Sequence, residues 1–156
     1  ITLDPETANS CLYLSEDCKS VRWDSLQQDL PSNPKRFKIH SCVLGSRGFT
    51  SGRQSWDVEV SRKGVWHIGV AKESVPRDCV LNLQPKNGVW ALIRNPKGYM
   101  ALTSPDGIPV TLHRVPKRIR ICLDYKAGRV MFLDAESGEQ IFAFPKASFR
   151  GEKIFP

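Results

Sequence analysis

Five short segments of this chain alternate apolar and polar residues with a period of two, and glycines and prolines fall between them. A half-buried strand alternates in this way, whereas an amphipathic helix repeats every ~3.6 residues. Residues 54–60 (QSWDVEV) turn Trp56, Val58 and Val60 one way and Ser55, Asp57 and Glu59 the other. Residues 65–71 (VWHIGVA) place Trp66, Ile68 and Val70 on one face and His67 on the opposite one. Residues 118–123 (RIRICL), 129–133 (RVMFL) and 140–144 (QIFAF) continue the series. Turn signals recur about every ten residues, a spacing that predicts an all-β antiparallel sandwich or barrel.

The connections carry their own chemistry. Asp124-Tyr-Lys-Ala-Gly128 ends in glycine, which predicts a hairpin with a positive-φ position at its end. Glu136-Ser-Gly-Glu139 repeats the device, so three strands should form a meander. One short helix is predicted at the start, where Asp4 suits an N-cap, Pro5 the first helical position and Glu6 the first turn. Residues 27–38 (QQDLPSNPKRFK) are polar with two prolines and read as a long loop. Trp56, Trp66, Trp90, Phe132 and Phe144 are the expected core.

A length of 156 residues suits one domain with a real hydrophobic core. No apolar run approaches the ~20 residues of a membrane helix, so membrane insertion is not expected. The net charge of +7 could suit nucleic acid or an acidic partner. Its densest stretch, Arg114, Lys117, Arg118 and Arg120, is interrupted by apolar residues, which reads as a solvated basic face rather than a nucleic-acid site. The five cysteines (Cys11, Cys18, Cys42, Cys79, Cys122) are odd in number, form no CxxC pair and lie apart from the three histidines. That argues against a zinc site and for reduced thiols in a cytoplasmic setting.

The sequence holds no GxSxG, no phosphate-cradling glycine loop and no HxE or ExxH arrangement, so neither catalysis nor a cofactor is expected. The informative residues are those that strand parity turns away from the core. His67 and Ile93 are two, while Arg94 and Asn95 lead into the Pro96-Lys-Gly98 turn and Tyr99 begins the strand after it.

A series of ordered blocks then makes the pattern specific. LDPETAN at Leu3–Asn9, LSED at Leu14–Asp17 and VRW at Val21–Trp23 resemble the PRY segment of PRY-SPRY domains. RF at Arg36–Phe37, VLGSRGFTSGRQSWDVEV at Val43–Val60 and WHIGVAKESV at Trp66–Val75 resemble the SPRY part. GVWAL at Gly88–Leu92, LDYKAGRVMFLDA at Leu123–Ala135 and IFAF at Ile141–Phe144 follow in order.

The resemblance implies one PRY-SPRY domain over residues 1–156, with PRY at about 1–44 and SPRY at about 45–156, truncated at its C-terminal end. It implies a bent sandwich of two antiparallel sheets and a non-catalytic binding module, as in tripartite-motif (TRIM) ubiquitin ligases and butyrophilins. Family pockets map onto Arg36, Trp66, His67, Val80, Leu83, Ile93 and Asn95, and with Tyr99 and Arg94 these are expected to form a shallow apolar groove with an arginine rim. The leading expectation is target recognition for a TRIM-type E3 ligase, through a protein or peptide partner. The alternative is a butyrophilin-type sensor of a phosphorylated anion, using Arg36, Lys38, His67 and Arg94. Oligomerisation, if any, is expected through other domains of the parent.

Overall fold

All five alternating segments become strands. The computed structural model describes residues 1–156. Its strands are β1 (Leu12–Leu14), β2 (Val21–Trp23), β3 (Arg53–Glu59), β4 (Trp66–Lys72), β5 (Val89–Asn95), β6 (Gly98–Ala101), β7 (Ile108–Val110), β8 (Arg118–Asp124), β9 (Arg129–Asp134), β10 (Gln140–Ala143) and β11 (Ile154–Phe155). They form a four-stranded sheet in the order β10-β9-β8-β3, a five-stranded sheet in the order β11-β4-β5-β6-β7, and a small β1-β2 ribbon. Every pairing is antiparallel, and β8-β9-β10 is the expected meander. Residues 24–52 form the long connection between β2 and β3, with isolated bridges at Gly45 and Phe49 but no strand of their own.

The predicted N-terminal helix is absent. Asp4 does cap: its Oδ1 accepts the Glu6 N–H at 3.0 Å and its carbonyl the Thr7 N–H at 3.1 Å. The chain then leaves the helical path because the Asn9 N–H is drawn to the Cys42 carbonyl at 3.0 Å. A single turn satisfies the cap without the propagating bonds that make a helix worthwhile. The one helical element is a 3-10 turn at Pro85–Asn87, and no helix is long and apolar enough to cross a membrane.

The main core lies between the two sheets. Trp90, Leu92, Ala101, Ile119, Ile121, Leu123, Val130 and Phe132 fill it, with Phe144, Phe149 and Ile154. Trp90, Phe132 and Phe144 are buried as expected, but Trp56 and Trp66 are only half-buried. Trp56 sits on an edge strand and Trp66 at the first residue of β4, so each packs against the core from its margin.

A second, smaller core determines where a site can form. Phe37, Leu44, Ala71, Val75, Val89 and Ala91 cluster on the outer face of the five-stranded sheet, joined by Cys42, Leu83, Leu102 and Phe155. The segment before β3 therefore covers that face at the Ala71 end. All five cysteines are free. Burial pushes the Cys42 thiol up to about 11, whereas Cys79 is exposed. Alkylation of the native protein at pH 8, followed by mass spectrometry, should label Cys79 first and Cys42 last, since only the thiolate reacts.

Candidate functional site

Strand register decides which predicted residues meet. β4 and β5 pair Trp66 with Arg94, His67 with Ile93, Ile68 with Leu92 and Gly69 with Ala91. β5 and β6 pair Ile93 with Met100 and Arg94 with Tyr99, and β6 and β7 pair Met100 with Pro109. Because side chains alternate between faces, His67, Ile93, Met100 and Pro109 form one row across the outer face. Trp66, Arg94 and Tyr99 lie on the opposite, core-side face. The Trp66 and Tyr99 rings meet edge-on with centroids 6.1 Å apart, and the Arg94 guanidinium donates to the Gly64 carbonyl.

The row begins where the second core stops. Moving from β11 along the outer face, Ala71, Val89 and Ala91 are covered, and His67 and Ile93 are the next positions. A Cβ at Gly69 would stand 2.0 Å from the Trp90 carbonyl oxygen, so the floor beside His67 is bare backbone. The wall comes from segments far away in sequence. His40 Nε2 accepts the Leu81 N–H at 3.3 Å, which ties the 73–84 loop to the segment before β3. Trp23 of β2 donates its indole N–H to Ser41 Oγ at 3.2 Å, beside His40 in the chain, and remains 60% exposed. Leu83 packs into the second core, while Val80 stands out at 76% exposure.

Loss of solvent around its ring, with a smaller contribution from neighbouring His40, holds the His67 imidazole below its ordinary value. Desolvation of this kind disfavours the charged imidazolium. Arg36, expected at the rim, spends its guanidinium on backbone: Nε donates to the Pro31 carbonyl at 3.1 Å, and Nη1 to those of Pro5 at 3.0 Å and Ala8 at 2.7 Å. Asn95 lies on the outer face by parity, and its Oδ1 accepts the Lys97 N–H at 2.9 Å, closing the turn to β6. Of the nine expected residues, His67, Ile93 and Asn95 share the outer face, with Leu83 and Val80 on the flanking loop. Trp66, Arg94 and Tyr99 face the core, and Arg36 is a structural clamp.

Sequence reading missed Met100, His40, Trp23 and Pro109. Met100 had a usable signal. The Asn95-Pro-Lys-Gly98 turn pairs Asn95 with Gly98, and stepping outward from that pair puts Met100, not Tyr99, opposite Ile93. His40 and Trp23 had none, because contacts across such separations leave no periodic trace.

Comparisons with known proteins agree along the whole chain. The SPRY-associated domain (PRY) matches residues 1–49 and the SPRY domain matches residues 53–156. Butyrophilin subfamily 1 member A1 of Bos taurus is 44% identical over 151 residues, covering 97% of this chain and 28% of that protein. E3 ubiquitin-protein ligase TRIM15 of Sus scrofa is 47% identical over 158 residues, covering 100% of this chain and 34% of that protein. The chain thus spans 28% and 34% of the lengths of these two relatives. Among solved structures, stonustoxin superposes with a TM-score of 0.87 at 28% identity, over 99% of this chain and 26% of that one. The crystal structure of the TRIM65 PSpry domain gives a TM-score of 0.83 at 22% identity, over 99% of this chain and 82% of that one.

Proposed function

Because the chain belongs to the SPRY domain family, with a PRY segment before it, we propose that it is a non-catalytic recognition module whose groove over His67, Ile93 and Met100 takes an apolar peptide segment of a protein target. The observation that carries this reading is where the four basic residues expected for an anion site stand: Lys38 lines a separate cavity with Lys35 and Arg77. Arg36 is bound to three carbonyls, Arg94 lies on the other face and desolvation disfavours the charged form of His67. A phosphorylated ligand needs charge-assisted donors, and neither arginine nor Lys38 supplies one in the groove. An apolar floor bordered by an exposed tryptophan suits the buried anchor of a peptide interface. In a longer parent, the module acts as the target-recognition part of a TRIM-type E3 ubiquitin ligase in the cytoplasm, and another domain carries out the transfer.

Selecting peptides from a display library against the chain, then measuring their affinity for variants, tests the proposal. Ile93→Asp and Met100→Asp should each weaken a selected peptide by ~30-fold or more, the loss of about 2 kcal/mol expected at a hot spot. Glu136→Ala, far from the groove, should leave affinity unchanged. Peptides that ignore both groove variants would place recognition elsewhere. Saturable heat on titrating phosphorylated small molecules would favour the anion-sensing alternative instead.

A further inference from the structure

β3 is the one long, regular strand edge left open in this fold. In the register with β8, the Tyr125 N–H donates to the Gly52 carbonyl and the Val60 N–H to the Lys117 carbonyl. Residues two apart on an antiparallel strand point their backbone groups the same way, so Gln54, Trp56 and Val58 also bond towards β8. The N–H and C=O groups of Arg53, Ser55, Asp57 and Glu59 therefore face outward, and no other strand pairs with β3. The other edges are short or interrupted. β7 carries Pro109, β10 is bulged between Gln140 and Phe142, and β11 has two residues and is bridged to Phe49.

Open edges in natural proteins are usually blunted by charge, proline or a bulge. The charges on β3 are arranged differently: the strand reads RQSWDVE, with the cation at one end and the acids towards the other. Turned about a two-fold axis through Trp56, it opposes Arg53 with Glu59 and Ser55 with Asp57. All four of these outward-facing residues then form hydrogen-bonded cross-strand pairs, and the two Trp56 side chains meet at the centre. A shift of two residues in one direction would instead set Asp57 against itself, and in the other would oppose Arg53 with Asp57 but leave Glu59 facing Ser51 outside the strand, so the register through Trp56 is the one that pairs all four outward-facing residues.

We infer that β3 is a self-complementary edge through which two copies of this chain pair antiparallel, joining their four-stranded sheets into one continuous sheet. The half-buried Trp56, which stacks on Phe49 at 6.1 Å, gains its missing cover from the second copy. Arg53 also pairs with Asp124 at 3.2 Å, and Asp57 is held by Arg120 at 2.7 Å. Asp57 is thereby held on the sheet surface before association, while Arg53, 89% exposed, stays available to the second copy. One strand pair buries little area, so dissociation constants on the order of 100 μM are expected for the isolated chain.

Sedimentation equilibrium over a concentration series tests the inference, together with amide exchange at the edge. The mass should rise towards that of a dimer by ~1 mM, and the Ser55 and Asp57 amides should gain protection with concentration. Arg53→Glu alone or Glu59→Arg alone sets like charges opposite each other at two symmetric places and should weaken the dimer by ~10-fold or more. The double variant, with both changes, should restore it. Ser55→Pro removes an edge donor without touching the β8 ladder and should abolish pairing, so it serves if a charge variant fails to fold. A chain that stays monomeric to ~1 mM overturns the inference. So does a dimer indifferent to both single reversals or to Ser55→Pro, or a double variant that stays monomeric.

Discussion

Replacing Phe132 with alanine is expected to lower stability by about 3–5 kcal/mol, the range for removing a buried aromatic ring and leaving its cavity. Phe132 has no exposed surface, and it stands in the middle of β9, opposite Ile121 on β8. Its ring meets Phe144 edge-on with centroids 6.1 Å apart. Strands on both sides are locked by backbone ladders, so the sheets cannot close over the space. For a chain of this size the melting temperature should fall by ~10 °C, measured by calorimetry or circular dichroism. Trp56→Ala provides the contrast: its ring is half-buried at the sheet margin and should cost clearly less. Equal losses at the two positions would mean that the core is not centred between the sheets.

Gly128→Ala is expected to be nearly as damaging, although it adds only one carbon at a hairpin end, because Gly128 is buried. Gly128 has φ +67, and a Cβ there would lie 2.0 Å from the Ala147 carbonyl oxygen. The left-handed conformation costs alanine about 1–2 kcal/mol, and forcing apart backbone that is already bonded adds about 1–3 kcal/mol. The bond at risk is the one from the Ala147 N–H to the Gly128 carbonyl, at 2.8 Å, which holds the segment after β10 against the β8-β9 turn. Gly138, also at positive φ, has nothing within 4 Å of its would-be Cβ. Alanine there should pay for conformation alone, and denaturant midpoints of the two variants separate strain from collision.

The two glycines mark the limit of what the chain disclosed before its structure. Both were legible as hairpin ends, because a turn's dihedral demand is local. The collision at Gly128 was not, because it depends on Ala147 returning from beyond another strand. The same division runs through the groove. Alternation placed His67 and Ile93 away from the core, and the β4-β5 register confirms their common face. Tyr99 was taken in place of Met100 because a shift of one residue in a strand exchanges the faces, and parity has to be carried through the intervening turn. The Asp4 cap was legible too, but the bond from Asn9 to Cys42 that ends its turn was not. Arg36 looked like a free rim charge because sequence shows a guanidinium, not the three carbonyls that occupy it.

The seam where the second core ends has an evolutionary consequence. Residues 24–44 and 73–84 supply the wall of the groove, yet apart from the 3-10 turn that follows them neither stretch contains a helix or strand. Lengthening such a connection costs little, since loop-closure entropy grows only with the logarithm of length. The floor, by contrast, is fixed by a seven-residue strand and by a glycine that admits no side chain. Selection can therefore rewrite the wall, in length as well as composition, while the floor and its fold stay intact. A scaffold divided in this way can diverge in what it recognises faster than in how it folds.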